Sequence, residues 1–368
     1  MFDQNAYVPI LKWKAGEYKA INRLDARIKN KIFPLIEIIP IPIDLDTEEP
    51  TKSVEEHLEG IAGKIEKFLG KGMPIFLDLD YLDDDVASDG RHPLGYVFDD
   101  IRAKNLKAIP VTGLDRSKAY QTAIKGIVEK DKHGVCIRLT KENFEEDIDF
   151  KNALDKLLKE LYVSSSDTDI VIDYESIPPS AEDEAIYSLS IKELIKDFPD
   201  ILKWRTFTFA GSSFPKDLSE VRADDVSNIR RVEWNIWKAL AKAKDNNKIK
   251  RLPTFGDYGI AHPELPFADF RIMKMSANIR YTSDNDWLIL KGRNTRRHGF
   301  DQFRDLSEAC LNSSEFKGKD YSWGDNYIYK CAQKPPQVGT GNPTTWREVG
   351  NSHHLTFVVN QISNFFGI

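Results

Sequence analysis

Cysteine is almost missing from this chain: 368 residues contain only Cys136, Cys310 and Cys331. They are too scattered for a metal-binding cluster or a disulfide framework, so stability must come from a packed interior. No apolar run is long enough to span a bilayer, since the longest, such as Phe33 to Ile39, are broken by proline or charge. The opening residues Met1 to Gln4 lack the basic-then-apolar pattern of a secretory leader, so a cytoplasmic protein with no membrane association is expected. Also missing are a phosphate-binding glycine loop, a dinucleotide fingerprint, a Gly-x-Ser-x-Gly elbow and a His-x-His pair. The commonest nucleotide, serine-hydrolase and metallohydrolase signatures are thereby excluded. Internal repeats and low-complexity tracts do not occur.

Hydrophobic residues make up 41% of the chain and charged residues 30%, ordinary values for a globular protein with a real core. The net charge of −6 is unevenly spread. Residues 271–368 carry 13 Lys and Arg against 9 Asp and Glu, so the rest of the chain is strongly acidic. An acidic body argues against tight nonspecific nucleic-acid binding and leaves the mildly basic C-terminal part as a contact surface.

The organising stretch is Met73 to Asp80. Its period-2 alternation places Phe76, Asp78 and Asp80 on one face and Ile75, Leu77 and Leu79 on the other. Seven similar stretches accompany it: Tyr7–Lys14, Ile32–Ile39, Leu106–Gly113, Gly134–Thr140, Asp169–Tyr174, Trp204–Ala210 and Leu252–Tyr258. Segments of helical spacing separate them, including Gly16–Arg27, Ser53–Leu69 and Ile229–Lys244. Eight strand–helix units in about 260 residues predict an α/β chain folded as a (β/α)8 TIM-like barrel, with a doubly wound open sheet as the competitor. Past Pro266 the rhythm changes to two strands around Ser283–Asp286, helical stretches and an apolar helix at Thr356–Phe366. The expected organisation is a barrel over residues 1–266 and a C-terminal α+β elaboration over 267–368, packed on it.

In a barrel one face of each strand points inward, and active sites gather where strands end. Taking the face with the late polar residue as interior gives Lys12 and Lys14, Glu37, Asp78 and Asp80, Thr112, Arg138, Asp173, Thr208 and Asp257. Lys12, Glu37, Asp78, Asp80, Arg138, Asp173 and Asp257 are the candidate catalytic set. Glu37, Asp78 and Asp80 could hold Mg²⁺ or Mn²⁺, hard cations that favour oxygen ligands. Lys12, Lys14 and Arg138 could hold a phosphate. A self-satisfied ion-pair network lining the barrel is the structural alternative. Burying so many charges costs several kcal/mol per ion unless each is paired, which favours a site over a lining for the set as a whole.

The loop Phe255 to Pro263 adds Tyr258 and His262, at the end of a barrel where phosphate sites form. With Lys14 and Arg280 they are the candidate ligand-binding residues, for a nucleotide or phosphate. Lys291 to His298 carries four fixed positive charges in eight residues and reads either as a solvated loop or as a partner or nucleic-acid contact.

Tyr7 to Glu17, Pro34 to Ile38, Phe255 to Gly259, Ile279 to Thr282 and His353 to Val359 resemble the protein beta family of bacteria and their mobile elements. The resemblance covers nearly the whole chain. It implies a role in a phage-defence cassette resembling a toxin–antitoxin pair, in which the chain neutralises a toxic, Gop-like partner encoded nearby. No catalytic residues come with it. Two functions therefore stand side by side: restraint of a toxic partner, or metal-dependent hydrolysis of a phosphate-containing substrate at the barrel mouth. Whether the chain is an enzyme is left open.

Overall fold

Strands buried on both faces set the architecture. In the computed structural model, which describes residues 2–145, 149–265 and 275–367, eleven strands form two sheets. They are β1 (Tyr7–Lys12), β2 (Leu35–Glu37), β3 (Ile75–Asp78), β4 (Ala108–Thr112), β5 (Val135–Leu139), β6 (Thr168–Ser176), β7 (Thr206–Ser212), β8 (Asp225–Arg230), β9 (Thr254–Asp257), β10 (Ser276–Thr282) and β11 (Asp286–Asn294). Strands β1 to β7 and β9 close into a parallel barrel, with β9 pairing both β7 and β1. The expected (β/α)8 barrel is therefore present, with helices between its strands and α+β elements added to it.

The period of two divides the side chains into two cores. Val8, Ile10, Leu35, Phe76, Val111, Cys136, Val171 and Ala210 fill the barrel interior. Their neighbours, among them Leu11, Ile36, Leu77, Ile137, Ile170 and Phe255, face outward against the surrounding helices. Each fully buried large apolar side chain contributes about 1.5–3 kcal/mol. Gly256, paired with the inward Val8, leaves room at a point where a Cβ would lie 2.7 Å from the Val8 carbonyl oxygen.

The second sheet, in the order β10-β11-β8, is antiparallel. Its strand β8 comes from the barrel segment, so the chain leaves the barrel after β7, pairs with the C-terminal hairpin, and returns. Here the structure corrects the expected helix over Ile229–Lys244: that helix spans Val232–Asp245, and the residues before it are extended because β11 supplies their partners. The proposed boundary at residues 266 and 267 lies outside the described residues.

The helix Pro343–Phe366 joins the two parts. It begins well before the expected Thr356, started by an Asn342 capping box and a proline in its first turn. Its apolar residues Leu355, Val358 and Ile362 join the outer barrel core, while Trp346 and Val349 join the core under the second sheet. Close approach governs the contact: a Cβ on Gly350 would lie 2.4 Å from Ile260 Cδ1. The aromatic-rich stretch near Asp320–Gln333 forms the helix Trp323–Ala332, whose Tyr327 packs edge-on against Trp346. Among the described residues no helix is long and apolar enough to cross a membrane.

Candidate functional site

Strand register brings the charges together. Lys12 is paired with Glu37 across β1 and β2, and Glu37 with Asp78 across β2 and β3, so three charged residues end adjacent strands side by side. Arg138, next to last in β5, reaches across the barrel to meet them. Its guanidinium donates to Glu37 at 2.9 Å, Asp78 at 2.8 Å, Asp173 at 2.7 Å and the Tyr258 hydroxyl at 2.7 Å. Tyr258 in turn donates to Asp173 at 2.5 Å. Lys12 lies 3.5 Å from Glu37 and donates to the backbone carbonyls of His262, at 3.3 Å, and Pro263. All of these side chains are buried. A guanidinium clasped by three carboxylates has the geometry that offsets its desolvation. Burial pushes the Asp78 carboxyl up, but Arg116 and Arg138 overcome it and hold the group below its ordinary value.

Arg116, on the loop after β4, extends the network outward. It lies 2.8 Å from Asp80 and 3.0 Å from Asp115, and its Nη2 is 3.9 Å from Asp78. Arg116 Nε and Nη2 and Glu37 Oε2 are buried without a hydrogen-bond partner. Asp80 is at the rim, its side chain 44% exposed, and burial followed by the negative charge of Asp78 raises its carboxyl to about 6 against the pull of Arg116. Burial, with Asp173 nearby, raises Glu175 to about 7. The rim thus holds two carboxyls able to exchange protons near neutrality, around a core of charges already matched.

Six of the expected site residues are brought together: Lys12, Glu37, Asp78, Arg138, Asp173 and Tyr258. Asp80 stands at their rim. His262 borders them through its carbonyl, with its ring Nε2 3.0 Å from Ser176 Oγ. Lys14 is exposed, just ahead of the helix Ala15–Arg23. Arg280 is half-buried on β10, bonded to Asn278 and the Ile260 carbonyl.

Asp257 is not in the mouth, which corrects its expected inward position. It points outward with Phe255, accepts a short hydrogen bond from the Tyr7 hydroxyl, and meets His354 Nε2 of the long helix at 3.0 Å. Burial drives the His354 imidazole below its ordinary value, and the neighbouring Asp257 does not reverse this. Thr112 likewise faces outward, 2.9 Å from Gln121, because Val111 is the inward residue of β4.

A divalent cation on Glu37, Asp78 and Asp80 does not fit this arrangement. Arg138 already occupies the position between Glu37 and Asp78, and among the described residues no group of three or more His, Cys, Asp or Glu is placed to hold a metal. The reading from sequence missed Arg116, although its place in the loop just after a barrel strand was a usable signal. It also missed the pairing of Tyr7 and His354 with Asp257, for which no local signal exists. Lys291 and Arg293 of the basic segment are partly used internally. Lys291 donates to the carbonyls of Leu218, at 2.6 Å, and Val221, at 2.7 Å, and Arg293 pairs with Asp224.

Among known sequences, the family model described as Beta protein matches residues 7–360, from β1 to the last turns of the long helix. No curated protein matches the chain.

Proposed function

This chain belongs to the Beta protein family, and from that premise we propose that it neutralises a toxic partner protein in a phage-defence system of the toxin–antitoxin kind. Family membership over nearly the whole length is the observation that carries the reading. The partner is a growth-inhibiting, Gop-like protein encoded nearby, and neutralisation proceeds by binding it.

The mouth favours restraint over catalysis. Its three innermost carboxylates, Glu37, Asp78 and Asp173, are all engaged by Arg138. A hydrolase using Mg²⁺ or Mn²⁺ would need those oxygens free. Hydrolysis of a phosphate-containing substrate is accordingly the weaker reading.

The test is co-expression with the neighbouring growth-inhibiting product, scoring growth and co-purification together. Rescue with a stable complex is expected. Rescue in which no complex ever forms would refute restraint by binding, and failure to rescue would refute the role itself. Asp80→Asn and Glu175→Gln, at the rim, should leave rescue unchanged.

A further inference from the structure

Two arginines converge on a single carbonyl at the seam between the barrel and the C-terminal layer. Arg280 of β10 donates from Nη1 to the Ile260 oxygen at 2.7 Å. Arg347, in the second turn of the helix Pro343–Phe366, donates from its own Nη1 to the same oxygen at 3.2 Å. Both side chains are half-buried. One carbonyl oxygen cannot neutralise two guanidinium ions, and among the described residues neither arginine has a carboxylate within ion-pair distance. Arg280 Nε bonds the Asn278 side chain at 3.1 Å, and its guanidinium lies 4.7 Å from the Phe214 ring centre. Among the described residues, Arg280 Nη2 and Arg347 Nε and Nη2 have no acceptor.

The surroundings add positive charge. Gly16 lets the Arg347 stem approach the start of the helix Ala15–Arg23, since a Cβ there would lie 2.6 Å from Arg347 Cβ. That contact brings the exposed Lys14 next to the seam. On the barrel side, Lys12 is fastened to the His262 carbonyl, two residues beyond Ile260. Glu17 is an acid buried alongside; among the described residues its Oε2 has no hydrogen-bond partner. Burial raises Glu17 to about 7 despite the cations near it, so at neutral pH it compensates them only in part. Burial first, and then the charge of Arg347, hold the Arg280 guanidinium well below its ordinary value, as expected for a cation without a counter-charge.

We propose that this seam is an oxyanion site in which Arg280 and Arg347 hold a phosphoryl group and Lys14 closes on it from the exposed side. The donor count selects the ligand class. Two guanidinium forks and an ammonium match a tetrahedral dianion with three free oxygens better than a carboxylate with two. The phosphoryl group belongs either to inorganic phosphate or to a nucleotide. The site is independent of the partner-binding reading, because a phosphate ligand can be titrated with no partner present.

The full chain is titrated calorimetrically with inorganic phosphate, and separately with AMP and ATP. Saturable binding is expected, weakened at least about tenfold by Arg347→Gln or Arg280→Gln. Arg347→Lys, which keeps the charge and loses the fork, should weaken binding by a smaller factor without moving the thermal midpoint. Arg91→Gln, an exposed arginine paired with Asp89 elsewhere on the surface, should leave binding unchanged. Nucleotide affinity at least about tenfold above that of phosphate identifies the ligand as a nucleotide, and equal affinities identify it as phosphate. No saturable binding of any of the three probes, or binding indifferent to both Gln substitutions, overturns the site.

Discussion

Replacing Arg138 with methionine removes the one group that holds Glu37, Asp78 and Asp173 together. Methionine keeps the apolar stem but is three heavy atoms smaller, so a small cavity adds to the loss of charge and hydrogen bonding. Breaking one buried ion pair by deleting a partner costs about 3–5 kcal/mol, because the remaining charge stays buried. Arg138 meets three carboxylates between 2.7 and 2.9 Å, so the loss should reach at least about 4 kcal/mol at neutral pH. That is a large part of the roughly 5–15 kcal/mol that separates folded from unfolded proteins.

The sign of the pH dependence makes the test stricter. In the native protein Asp78 is held below its ordinary value, so its contribution is present above the unfolded pKa and lost as pH falls through the folded one. Without Arg138, only Arg116 is left to oppose burial at Asp78, and the Asp78 carboxyl moves up. The variant's stability would then fall as pH rises from about 4 toward neutrality. Urea unfolding followed by tryptophan fluorescence, at mildly acidic and at slightly alkaline pH, measures both terms. The variant's deficit should be larger at the higher pH, and Arg138→Met with Asp173→Asn should recover part of it. A deficit under about 1 kcal/mol, or one that shrinks as pH rises, would refute the buried, charge-matched mouth.

Three further outcomes are expected. Asp257→Ala leaves Tyr7 and His354 without their buried acceptor and should cost about 3 kcal/mol in chemical unfolding, whereas Asp89→Ala at the exposed Arg91 pair should be nearly silent. Gly256→Ala forces a Cβ to 2.7 Å from the Val8 carbonyl and should lose about 1–3 kcal/mol, read as a lower thermal midpoint. Gly339→Ala, with nothing within 4 Å of its Cβ position, should be nearly silent. Glu17, raised to about 7, keeps a proton in the fold that the unfolded chain releases, so stability falls as pH climbs from its ordinary value of 4.5 through 7. Glu17→Gln removes that fall, and unfolding midpoints measured across the range should show an advantage growing to about 3 kcal/mol on the alkaline side and vanishing in acid.

The barrel was legible because its strands are short, apolar and separated by helical spacing, and because burying one face fixes the register. Lys12, Glu37 and Asp78 could be placed in one mouth for the same reason. The alternation became unreadable where an inward residue carried no side chain or where both faces were apolar. At β9 the inward positions are Gly256 and Tyr258, so the eye follows Phe255 and Asp257, which face the helices. At β4, Ile109, Pro110 and Val111 are apolar in succession, and Thr112 took the wrong face by one residue. The first half of the long helix was hidden differently. Asn351, Ser352, His353 and His354 are polar, yet all are buried, with acceptors such as Asp325 and Asp257 supplied by other segments.

Charge type is written in the sequence, but charge balance is written only in the fold. Arg138 and Arg280 look equivalent on the page, each an arginine inside an apolar strand. In the folded chain Arg138 has three carboxylates within 3 Å, and its energy is accounted for by the protein itself. Arg280 shares one neutral carbonyl with another arginine. A partly buried cation is tolerated only when something offsets its desolvation. For Arg138 that compensation is internal, and binding at the mouth would have to displace it. For Arg280 and Arg347 the compensation among the described residues is incomplete, and this imbalance is what the proposed anion would offset. Most of the residues expected from sequence to form a catalytic set are thus paired with one another inside the mouth. The oxyanion site proposed above instead gathers at the Ile260 carbonyl, where two arginines share one neutral acceptor.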